Sequence, residues 1–423
     1  MEQSPKVQLP VHLIVRLTGT GRMLLISGSH IIIVDAATGS ILATTEQLAP
    51  AKISVPKTQL SKQQIRSAVY HRESDRIAFV SDDKELQIWN ASTLKRINTR
   101  QTVKRATCLL FSADGKQLLV GDKFGDVYRF DVNDPSVKPL LLLGHVSILT
   151  DMAWSLDSQY LLTADRDEKI RVNHYPATYD IHQFCLGHTE FVSKLIVLPG
   201  PPNVKQSAMM KGVHNLLISG GGDDFLCVWD YETGKLLQKL DFVKSTGLEL
   251  GELKPSVTCL RYHQGTQTLG ILLEKCDQIV LFDTTDMSNI KFKKLIKCVH
   301  QPLQFSFDSN GNLWVANNHG EHLVDVVLVS RDYHFAPHDS PLISKVNAIK
   351  TDQVDTMFDL YEVGQLRKWS RWTPDPNFLG NQKKRTADFE GAVDENKKKS
   401  RRAAKPKSAK KEKETETEVV KAD

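Results

Sequence analysis

The sequence has no long apolar run. Two apolar stretches near its start, HLIV at 12–15 and MLLI at 23–26, each lie directly beside an arginine, Arg16 and Arg22 respectively. A membrane-spanning helix requires about 20 apolar residues in succession, and the core of a signal peptide requires about 7–15. The sequence therefore predicts neither a membrane span nor a signal peptide, and no membrane partner is expected.

Cysteine is sparse and irregularly spaced. The chain has six cysteines, and no two of them stand at a C-x-x-C spacing. Zinc sites and the disulfide frameworks of small secreted domains depend on regular cysteine spacing. The sequence therefore predicts no metal site and no disulfide framework, and reduced thiols in a cytosolic or nuclear protein are the simplest interpretation. The cysteines are Cys108, Cys185, Cys227, Cys259, Cys276 and Cys298.

The body of the chain lacks an excess of either charge. The net charge of +5 arises in 381–423, which has 14 basic and 9 acidic residues, and leaves 41 of each sign in 1–380. A protein that binds nucleic acid over its whole surface would carry a strongly basic body. Any basic surface on the globular part is therefore expected to be local.

Motifs that carry catalysis are missing as well. No nucleophile motif, carboxylate pair or phosphate-binding loop stands out, and the run Gly220-Gly221-Gly222 ends a predicted strand. A dinucleotide-binding glycine motif would instead open a helix. The sequence therefore predicts no catalytic residue and no cofactor site in this chain. Rigid platforms that act through loops and strand edges have such sequences.

A repeat of about 42 residues organises the chain. Short apolar strands end in an aromatic or polar residue that is often followed by aspartate, and successive ends are 41 and 43 residues apart in the most regular region. The pairs Gly144-His145 and Gly187-His188 are also 43 residues apart. This period with these markers is typical of WD40 blades. The strands are HIIIVD, ELQIWN, DVYRFD, KIRVNH, FLCVWD and QIVLFD, which end at residues 35, 90, 131, 174, 230 and 283.

Polar residues at fixed places in the repeat predict a hydrogen-bonded network within each blade. A four-stranded blade buries its faces by stacking in a closed ring, and its buried polar groups need partners. In WD40 blades these partners are a His, a Ser or Thr, a turn Asp and a strand Trp. We assign these positions to His188, Ser219, Asp223 and Trp229 in blade five, and to His145, Thr163 and Asp167 in blade four, where Asn173 replaces the Trp. The two histidines are therefore interpreted as structural, not as metal ligands or general bases.

Seven blades are predicted within an all-β WD40 β-propeller that covers 1–375. Six units are recognisable from about residue 11 to 297, and the seventh is expected from 300–372. Its pieces are LQFSFDSNGNLWVAN, with Asn310-Gly311 as a hairpin turn, HLVDVVLVS, and FDLYEVGQLRKWSRW. Insertions are expected in the loops at 45–65, 199–214 and 241–256.

The last segment, 376–423, is predicted to be a disordered basic tail. Its two basic clusters are separated by 11 residues, the layout of a bipartite nuclear import signal, so a nuclear location is expected. Loose contact with RNA phosphates and a merely solubilising tail are the alternatives. The clusters are Lys383, Lys384 and Arg385, then Lys397, Lys398, Lys399, Arg401 and Arg402.

The stretch LTADRDEKIRVNHYP, 162–176, carries more charge than a blade needs. Ile170 and Val172 have the alternation of a packed strand, yet charged residues crowd the positions around them. Solvated turns alone could account for such charges. Because blade three has a similar surplus at Lys123, we predict a docking surface for a complementary partner. The predicted partner-binding residues are Lys123, Arg166, Asp167, Lys169 and Arg171.

Segments 120–195 and 219–235 resemble the WD-repeat, non-catalytic subunit of eukaryotic tRNA (guanine-N7) methyltransferase. The resemblance rests on VGDKFGDVYRF, LGHVSILTDMAWSLDSQYLLTADRDEKIRVNHYP, FCLGHTEFVSKL and SGGGDDFLCVWDYETGK. It implies a heterodimer with a Rossmann-like methyltransferase that binds S-adenosylmethionine and methylates N7 of a guanosine in the tRNA variable loop. It also implies that this chain has no active site and docks through blades three and four, with Lys123 and Arg171 as interface cations.

Two other functions remain open from the residues alone. A generic WD40 scaffold, such as a ubiquitin-ligase substrate receptor or a ribosome-assembly platform, would share the propeller and the basic tail. An enzyme acting on its own is the second alternative. If a pull-down with this chain contains a methyltransferase, that result argues against the generic scaffold. Methylation of tRNA by this chain alone, with S-adenosylmethionine, would favour the enzyme.

Overall fold

The computed structural model describes residues 7–44, 64–199, 215–250, 254, 256–319, 322–349, 351, 353–354 and 363–367. Within these ranges the chain forms seven four-stranded antiparallel sheets and one two-stranded sheet. In each four-stranded sheet the strands follow one another in chain order, so every blade is a simple meander. The prediction of a seven-bladed β-propeller is confirmed.

The first four blades are each built from one continuous segment. Blade one comprises β2 (Leu13–Leu17), β3 (Arg22–Ser27), β4 (His30–Asp35) and β5 (Ile41–Thr44). Blade two comprises β6 (Ile65–His71), β7 (Arg76–Ser81), β8 (Glu85–Asn90) and β9 (Arg96–Gln101). Blade three comprises β10 (Ala106–Phe111), β11 (Gln117–Asp122), β12 (Asp126–Asp131) and β13 (Leu140–Gly144). Blade four comprises β14 (Leu149–Trp154), β15 (Tyr160–Asp165), β16 (Lys169–His174) and β17 (Ile181–Leu186).

The remaining elements complete the ring. Blade five comprises β18 (Val192–Pro199), β19 (Asn215–Gly221), β20 (Phe225–Asp230) and β21 (Lys235–Asp241), and blade six comprises β22 (Val257–His263), β23 (Thr268–Leu273), β24 (Gln278–Asp283) and β25 (Lys291–Lys297). Blade seven comprises β26 (Pro302–Phe307), β27 (Leu313–Asn317), β28 (Val324–Leu328) and β29 (His334–Phe335). The small sheet joins β1 (Val7–Gln8) to β30 (Gln353–Val354), and the helices are α1 (Phe242–Thr246) and α2 (Pro341–Asn347), with 3-10 turns η1 (Val329–Arg331) and η2 (Val363–Leu366).

The second strands of the blades are continuous apolar runs because both of their faces are covered. β23 is buried at all six positions, and β3, β7, β11 and β15 are each buried at every position but the first. A strand covered on both faces has no solvent side on which polar residues could alternate. The outer strand β9 is mostly exposed and correspondingly polar. The second strand of each blade is thus the most completely buried part of the repeat.

The ring closes between blades seven and one. The innermost strands contact one another in order from β2 to β26, and β26 also contacts β2. Met23 and Val34 of blade one share an apolar cluster with Trp314 and Val324 of blade seven. Across the same junction the Ile14 amide donates to Gln304 Oε1 at 2.5 Å. Closure packs blade seven against blade one, so the faces of both end blades are covered.

Blade seven differs from its predicted composition. The hairpin at Asn310-Gly311 and the third strand lie where they were expected, but the outer strand is β29, which begins at His334. The prediction that 358–372 contributes to this blade is wrong for its described part, because 363–366 form η2. A tight turn after η1, with Asp332 and Tyr333 at positive φ, returns the chain to β28 much earlier than expected.

Several sequence predictions lie outside the described residues. They include the basic tail with its two import clusters, the boundary at 375, and most of the loops at 45–65 and 199–214. In the third predicted loop, 241–256, the described residues include α1, whose N-terminal amide at Lys244 is capped by Asp241 at 2.9 Å. None of the described helices has the length and apolar character needed to cross a membrane.

We predict that His12 makes the fold sensitive to acid. Its Nε2 donates to the Ile65 carbonyl at 2.7 Å, between blades one and two, and burial lowers the pKa of this ring from 6.5 to about 4. Between those values the unfolded chain binds a proton that the folded chain excludes, so stability falls as pH drops. Because the ring also lines the central cavity, we expect a loss of at most about 2 kcal/mol.

Urea unfolding at pH 7 and pH 4.5 measures this effect. The variant His12→Gln keeps a side-chain donor for the carbonyl but has no proton to gain, so its stability should change less between the two pH values. An equal loss in both proteins would show that other groups dominate the acid response.

Candidate functional site

One end of the propeller carries all the residues predicted to bind a partner. The turns between strands two and three of each blade lie at this end, as do the loops that join one blade to the next. We call this end the top face. Its described turns in blades three, four and five are 123–125, 166–168 and 222–224, and the loops that enter blades four and five are 145–148 and 187–191.

Blade five brings its four assigned residues into one hydrogen-bonded network. His188 Nδ1 lies 3.0 Å from Asp223 Oδ1, and His188 Nε2 lies 2.8 Å from Ser219 Oγ. Trp229 Nε1 donates to the same Ser219 oxygen at 2.8 Å. All four residues are buried, so each hydrogen bond replaces contact with water that the core excludes. The network fixes the loop that enters blade five against the middle strands of that blade.

Blade four has the same network with a different carboxylate. His145 Nε2 lies 2.8 Å from Thr163 Oγ1, as assigned, but His145 Nδ1 lies 2.9 Å from Asp165 Oδ2. The assignment of Asp167 to this network is therefore wrong. Asn173, at the Trp position, donates from Nδ2 to Thr163 Oγ1 at 3.3 Å.

The glycine at the end of β19 explains why the two blades differ. Asp167 was assigned because it follows Thr163 by four residues, as Asp223 follows Ser219 in blade five. Asp165 ends β15, and the corresponding position in blade five is Gly221. A Cβ atom at Gly221 would lie 1.8 Å from the Phe191 carbonyl oxygen, so no side chain fits there. Blade five must therefore take its carboxylate from the following turn, at Asp223. In blade four the strand end itself can carry the carboxylate.

Asp165 also organises the turn that follows it. Its Oδ1 accepts the amide of Asp167 at 2.8 Å and the amide of Lys169 at 3.2 Å. Burial opposes ionisation of Asp165, but its hydrogen bonds, above all that from His145, keep its pKa below the usual range. Burial also lowers the pKa of His145. The pair is thus a carboxylate with a neutral imidazole near pH 7, which suits a structural role.

We predict that Asp165 and Asp167 differ strongly when replaced. Asp165→Ala removes three hydrogen bonds and leaves the buried Nδ1 of His145 without its acceptor, which should lower the free energy of unfolding by about 2–3 kcal/mol. Asp167→Ala should cost less than about 1 kcal/mol, because its side chain is partly exposed in the turn. Chemical denaturation of both variants tests the assignment, and equal losses would contradict it.

The predicted partner-binding residues lie on two neighbouring blades, three and four. Lys123 is exposed in the 123–125 turn, and Arg166 and Asp167 lie partly exposed in the 166–168 turn. Lys169, exposed, and Arg171, half-buried, follow at the start of β16. Gly144 pairs with Asp126 of blade three and accepts a hydrogen bond from Arg171 Nη1 at 3.1 Å. Arg171 of blade four therefore contacts the outer strand of blade three.

Arg171 holds its charge under partial burial. Its guanidinium contacts the Gly144 carbonyl and lies 6.0 Å from the Phe184 ring centroid, while its Nε is buried with no hydrogen-bond partner in the described part of the chain. Burial lowers the pKa of Arg171, and the nearby Asp165 carboxylate opposes this. A half-desolvated cation with spare donors is a favourable partner for a carboxylate from another protein.

Exposed apolar side chains lie among these cations. Phe124 is 55% exposed and Leu186 is 62% exposed, while Val146 is fully exposed. Phe124 follows Lys123, Leu186 pairs with Lys169, and Val146 belongs to the loop that packs against Gly125. We call this set the docking surface: Lys123, Phe124, Val146, Arg166, Asp167, Lys169, Arg171 and Leu186. Its mixture of apolar and charged groups is typical of protein interfaces.

The inner edge of this surface reaches the central cavity. The cavity has a volume of about 670 Å³, and Lys123, Lys194, Arg66 and Arg105 are among its lining residues. Arg66 and Arg105 both pair with Asp82 at 2.7 Å. Lys123 therefore lies at the channel wall instead of on the outer side of the ring. The docking surface extends from that wall outwards to β16 and β17.

The apolar members of the docking surface were missed from the sequence. Val146 and Leu186 fall in loop and strand-end positions where an apolar residue gives no periodic signal. Val146 could have been noticed, because it directly follows the Gly-His marker in a loop expected to be polar. Nothing in the spacing of Leu186 distinguishes it from the apolar residues of an ordinary outer strand.

Solved structures show the same architecture at low sequence identity. The chain matches a structure titled "Structure of U3-55K" with a TM-score of 0.57 and 16% identity, covering 73% of this chain and 89% of that one. It matches the Cps50 (Swd1) β-propeller domain of Myceliophteria thermophila with a TM-score of 0.58 and 8% identity, covering 75% and 96%. The fold and its blade networks define a WD40 β-propeller.

Sequence comparison assigns the chain to a particular family within that class. The family model described as "tRNA methyltransferase TRM82 WD40 domain" matches residues 42–139 and 131–326. The chain belongs to this family. The matched residues include the docking surface and both networks.

Curated relatives carry a consistent description. The tRNA (guanine-N(7)-)-methyltransferase non-catalytic subunit wdr4 of Xenopus laevis is 35% identical over 258 residues, which are 59% of this chain and 61% of the relative. The subunit of the same name in Danio rerio is 36% identical over 283 residues, 65% of each chain. The subunit wuho of Drosophila pseudoobscura pseudoobscura is 46% identical over 141 residues, 33% of this chain and 32% of the relative. The chain thus aligns with about three-fifths of the length of the Xenopus relative.

Proposed function

We propose that this chain is the non-catalytic subunit of a tRNA (guanine-N7) methyltransferase. The observation that carries the proposal is the family match over 42–326, together with relatives that are named as this subunit. The catalytic subunit, which binds S-adenosylmethionine, is a separate Rossmann-like methyltransferase. It transfers the methyl group to N7 of a guanosine in the tRNA variable loop. This chain supports that reaction without contributing a reacting group.

The docking surface supports this division of labour. The catalytic subunit presents carboxylates to Lys123 and Arg171, and apolar groups to Phe124, Val146 and Leu186. Arg166, Asp167 and Lys169 border the contact. The cations set the partner's orientation, while burial of the apolar groups supplies much of the affinity. Binding holds the catalytic subunit in its active conformation and helps to position the tRNA for methylation.

A reconstituted reaction tests the proposal. The chain, the methyltransferase subunit of the same organism, and both together are incubated with tRNA and radiolabelled S-adenosylmethionine. We expect methylation by the pair that greatly exceeds that of the methyltransferase alone, and none by this chain alone. Methylation by this chain alone would make it an enzyme. Equal methylation with and without this chain would leave the generic scaffold as the better function.

We also propose that the complex acts in the nucleus. The two basic clusters of the tail support this, since Lys383–Arg385 and Lys397–Arg402 have the layout of a bipartite import signal. A fluorescent fusion of the full chain should be nuclear, and replacing Lys397–Lys399 with alanine should leave it in the cytoplasm. Nuclear accumulation of that variant would refute this role of the tail.

A further inference from the structure

Three histidines converge on the top face of blade seven. His300 lies in the loop that enters β26, and His319 and His322 flank the turn between β27 and β28. The ring centroids of His300 and His319 are 4.4 Å apart, those of His300 and His322 are 5.0 Å apart, and those of His319 and His322 are 5.1 Å apart. Three imidazoles from two loops thus meet at one point.

The positions of the ring nitrogens allow the three histidines to share a metal ion. One nitrogen from each ring can be chosen so that all three lie within 4.8 Å of one another. Two nitrogens bound to one tetrahedral zinc ion, each at about 2.0–2.1 Å, lie about 3.3 Å apart. The nitrogens must therefore come closer together, by up to about 1.5 Å, to share an ion. All three are half-buried, so solvent can supply the ion and a further ligand.

We propose that His300, His319 and His322 form a zinc site that fastens the two top loops of blade seven to each other. Neutral imidazole is the ligand that zinc, copper and nickel share, and a three-histidine set with one open position suits zinc. No metal site was expected from the sequence, because the three residues follow none of the cysteine–histidine spacings that mark such sites.

A fourth histidine and a buried carboxylate lie beside the three rings. His338 packs edge-on against His322 with centroids 5.3 Å apart, and its Nδ1 lies 3.7 Å from Asp325 Oδ1. Asp325 is buried beneath the site and also accepts a hydrogen bond from Asn317 at 2.8 Å. A buried carboxylate close to the ligands favours a cation there.

Metal binding carries one local cost. His319 Nδ1 accepts the backbone amide of His322 at 3.1 Å. Coordination through Nδ1 would use this lone pair, and coordination through Nε2 would place a proton on Nδ1, so the hydrogen bond is lost in both cases. The turn must therefore shift slightly when the ion binds. Such a coupling between ion and turn is expected of a site that orders loops.

The location of the site suggests why blade seven would use a metal ion. Its outer strand, β29, has two residues, while the outer strands of the other blades have four to seven. Blade seven also forms the junction that closes the ring. A metal link between the entry to β26 and the entry to β28 would compensate for the short strand pairing at this junction.

Cobalt and zinc titrations of the untagged full chain test the site. After removal of metal with a chelator, tetrahedral Co²⁺ should give visible d–d absorption with one ion per chain. Zn²⁺ should displace it, and Zn²⁺ at about 100 times its Kd should raise Tm by about 3 °C. Both His319→Gln and His322→Gln should lower the affinity by at least about 100-fold, because even loss of an outer-shell group costs 10–100-fold.

His334→Gln is the matched control. His334 lies in the same blade but pairs with Leu328 at the opposite end of β28, so its loss should leave metal affinity unchanged. Circular dichroism without metal establishes that each variant is folded, and having two separate ligand variants guards against the failure of one. The absence of Co²⁺ absorption and of a Zn²⁺ effect on Tm would refute the site. Wild-type affinity in both ligand variants would also refute it.

Discussion

Trp229→Ala should lower the free energy of unfolding by about 3–5 kcal/mol, the range for removing a buried tryptophan. The side chain is completely buried, and its Nε1 donates to Ser219 Oγ at 2.8 Å. Its ring also packs against Gly187, where a Cβ atom would lie 2.8 Å from Trp229 Cη2. The change removes packing within blade five and one hydrogen bond of its network together. Urea unfolding followed by circular dichroism measures the loss.

Trp229→Phe separates the two contributions. Phenylalanine retains most of the apolar burial but has no donor for Ser219, so we expect a loss of about 1–2 kcal/mol. The hydrogen bond between His188 and Ser219 should survive this change. A loss below about 1 kcal/mol for Trp229→Ala would contradict the view that this network stabilises the blade.

The double variant Lys123→Glu/Arg171→Leu should weaken binding of the catalytic subunit by about 2–5 kcal/mol, or at least about 30-fold in Kd. Lys123→Glu puts a carboxylate opposite the partner's acidic groups. Arg171→Leu removes a half-buried cation and leaves any partner carboxylate without its counter-charge. Methylation at limiting subunit concentration should fall in parallel. Surface plasmon resonance and the reconstituted reaction measure the two effects.

Lys116→Glu provides the matched control for the charge reversal at Lys123. Lys116 is an exposed lysine of blade three, but it lies in the turn between strands one and two, at the end opposite the top face. The control changes the net charge as Lys123→Glu does, so it accounts for long-range electrostatic effects. Equal weakening by the control and the double variant would argue against a specific contact. Unchanged binding by the double variant would place the partner elsewhere.

The architecture was largely predictable because burial imposes a pattern on the sequence. The second strand of each blade is covered on both faces, so it produces an apolar run at a fixed period. The outer strand of the last blade was less predictable. The outer strand of blade seven has only two residues, too few to show alternation, and its position was therefore wrong.

The sites were predictable where a residue's neighbours along the chain determine its role. His188 and Ser219 were assigned from spacing and do meet in the structure. Asp165 was not assigned from spacing. The choice between Asp165 and Asp167 depends on whether a side chain fits at the end of the second strand, and in blade five no Cβ fits at the corresponding Gly221. The histidine cluster of blade seven escaped notice because it requires two loops to meet, which no local pattern records.

Amide hydrogen exchange of this chain, with and without the catalytic subunit, tests most directly where the partner docks. We expect strong protection of 122–126, 144–148, 166–171 and 184–186 in the complex, since these segments carry the docking surface. The corresponding turns of blades one and six should exchange as they do in the free chain. Protection confined to other blades, or to the end of the propeller opposite the top face, would contradict the account.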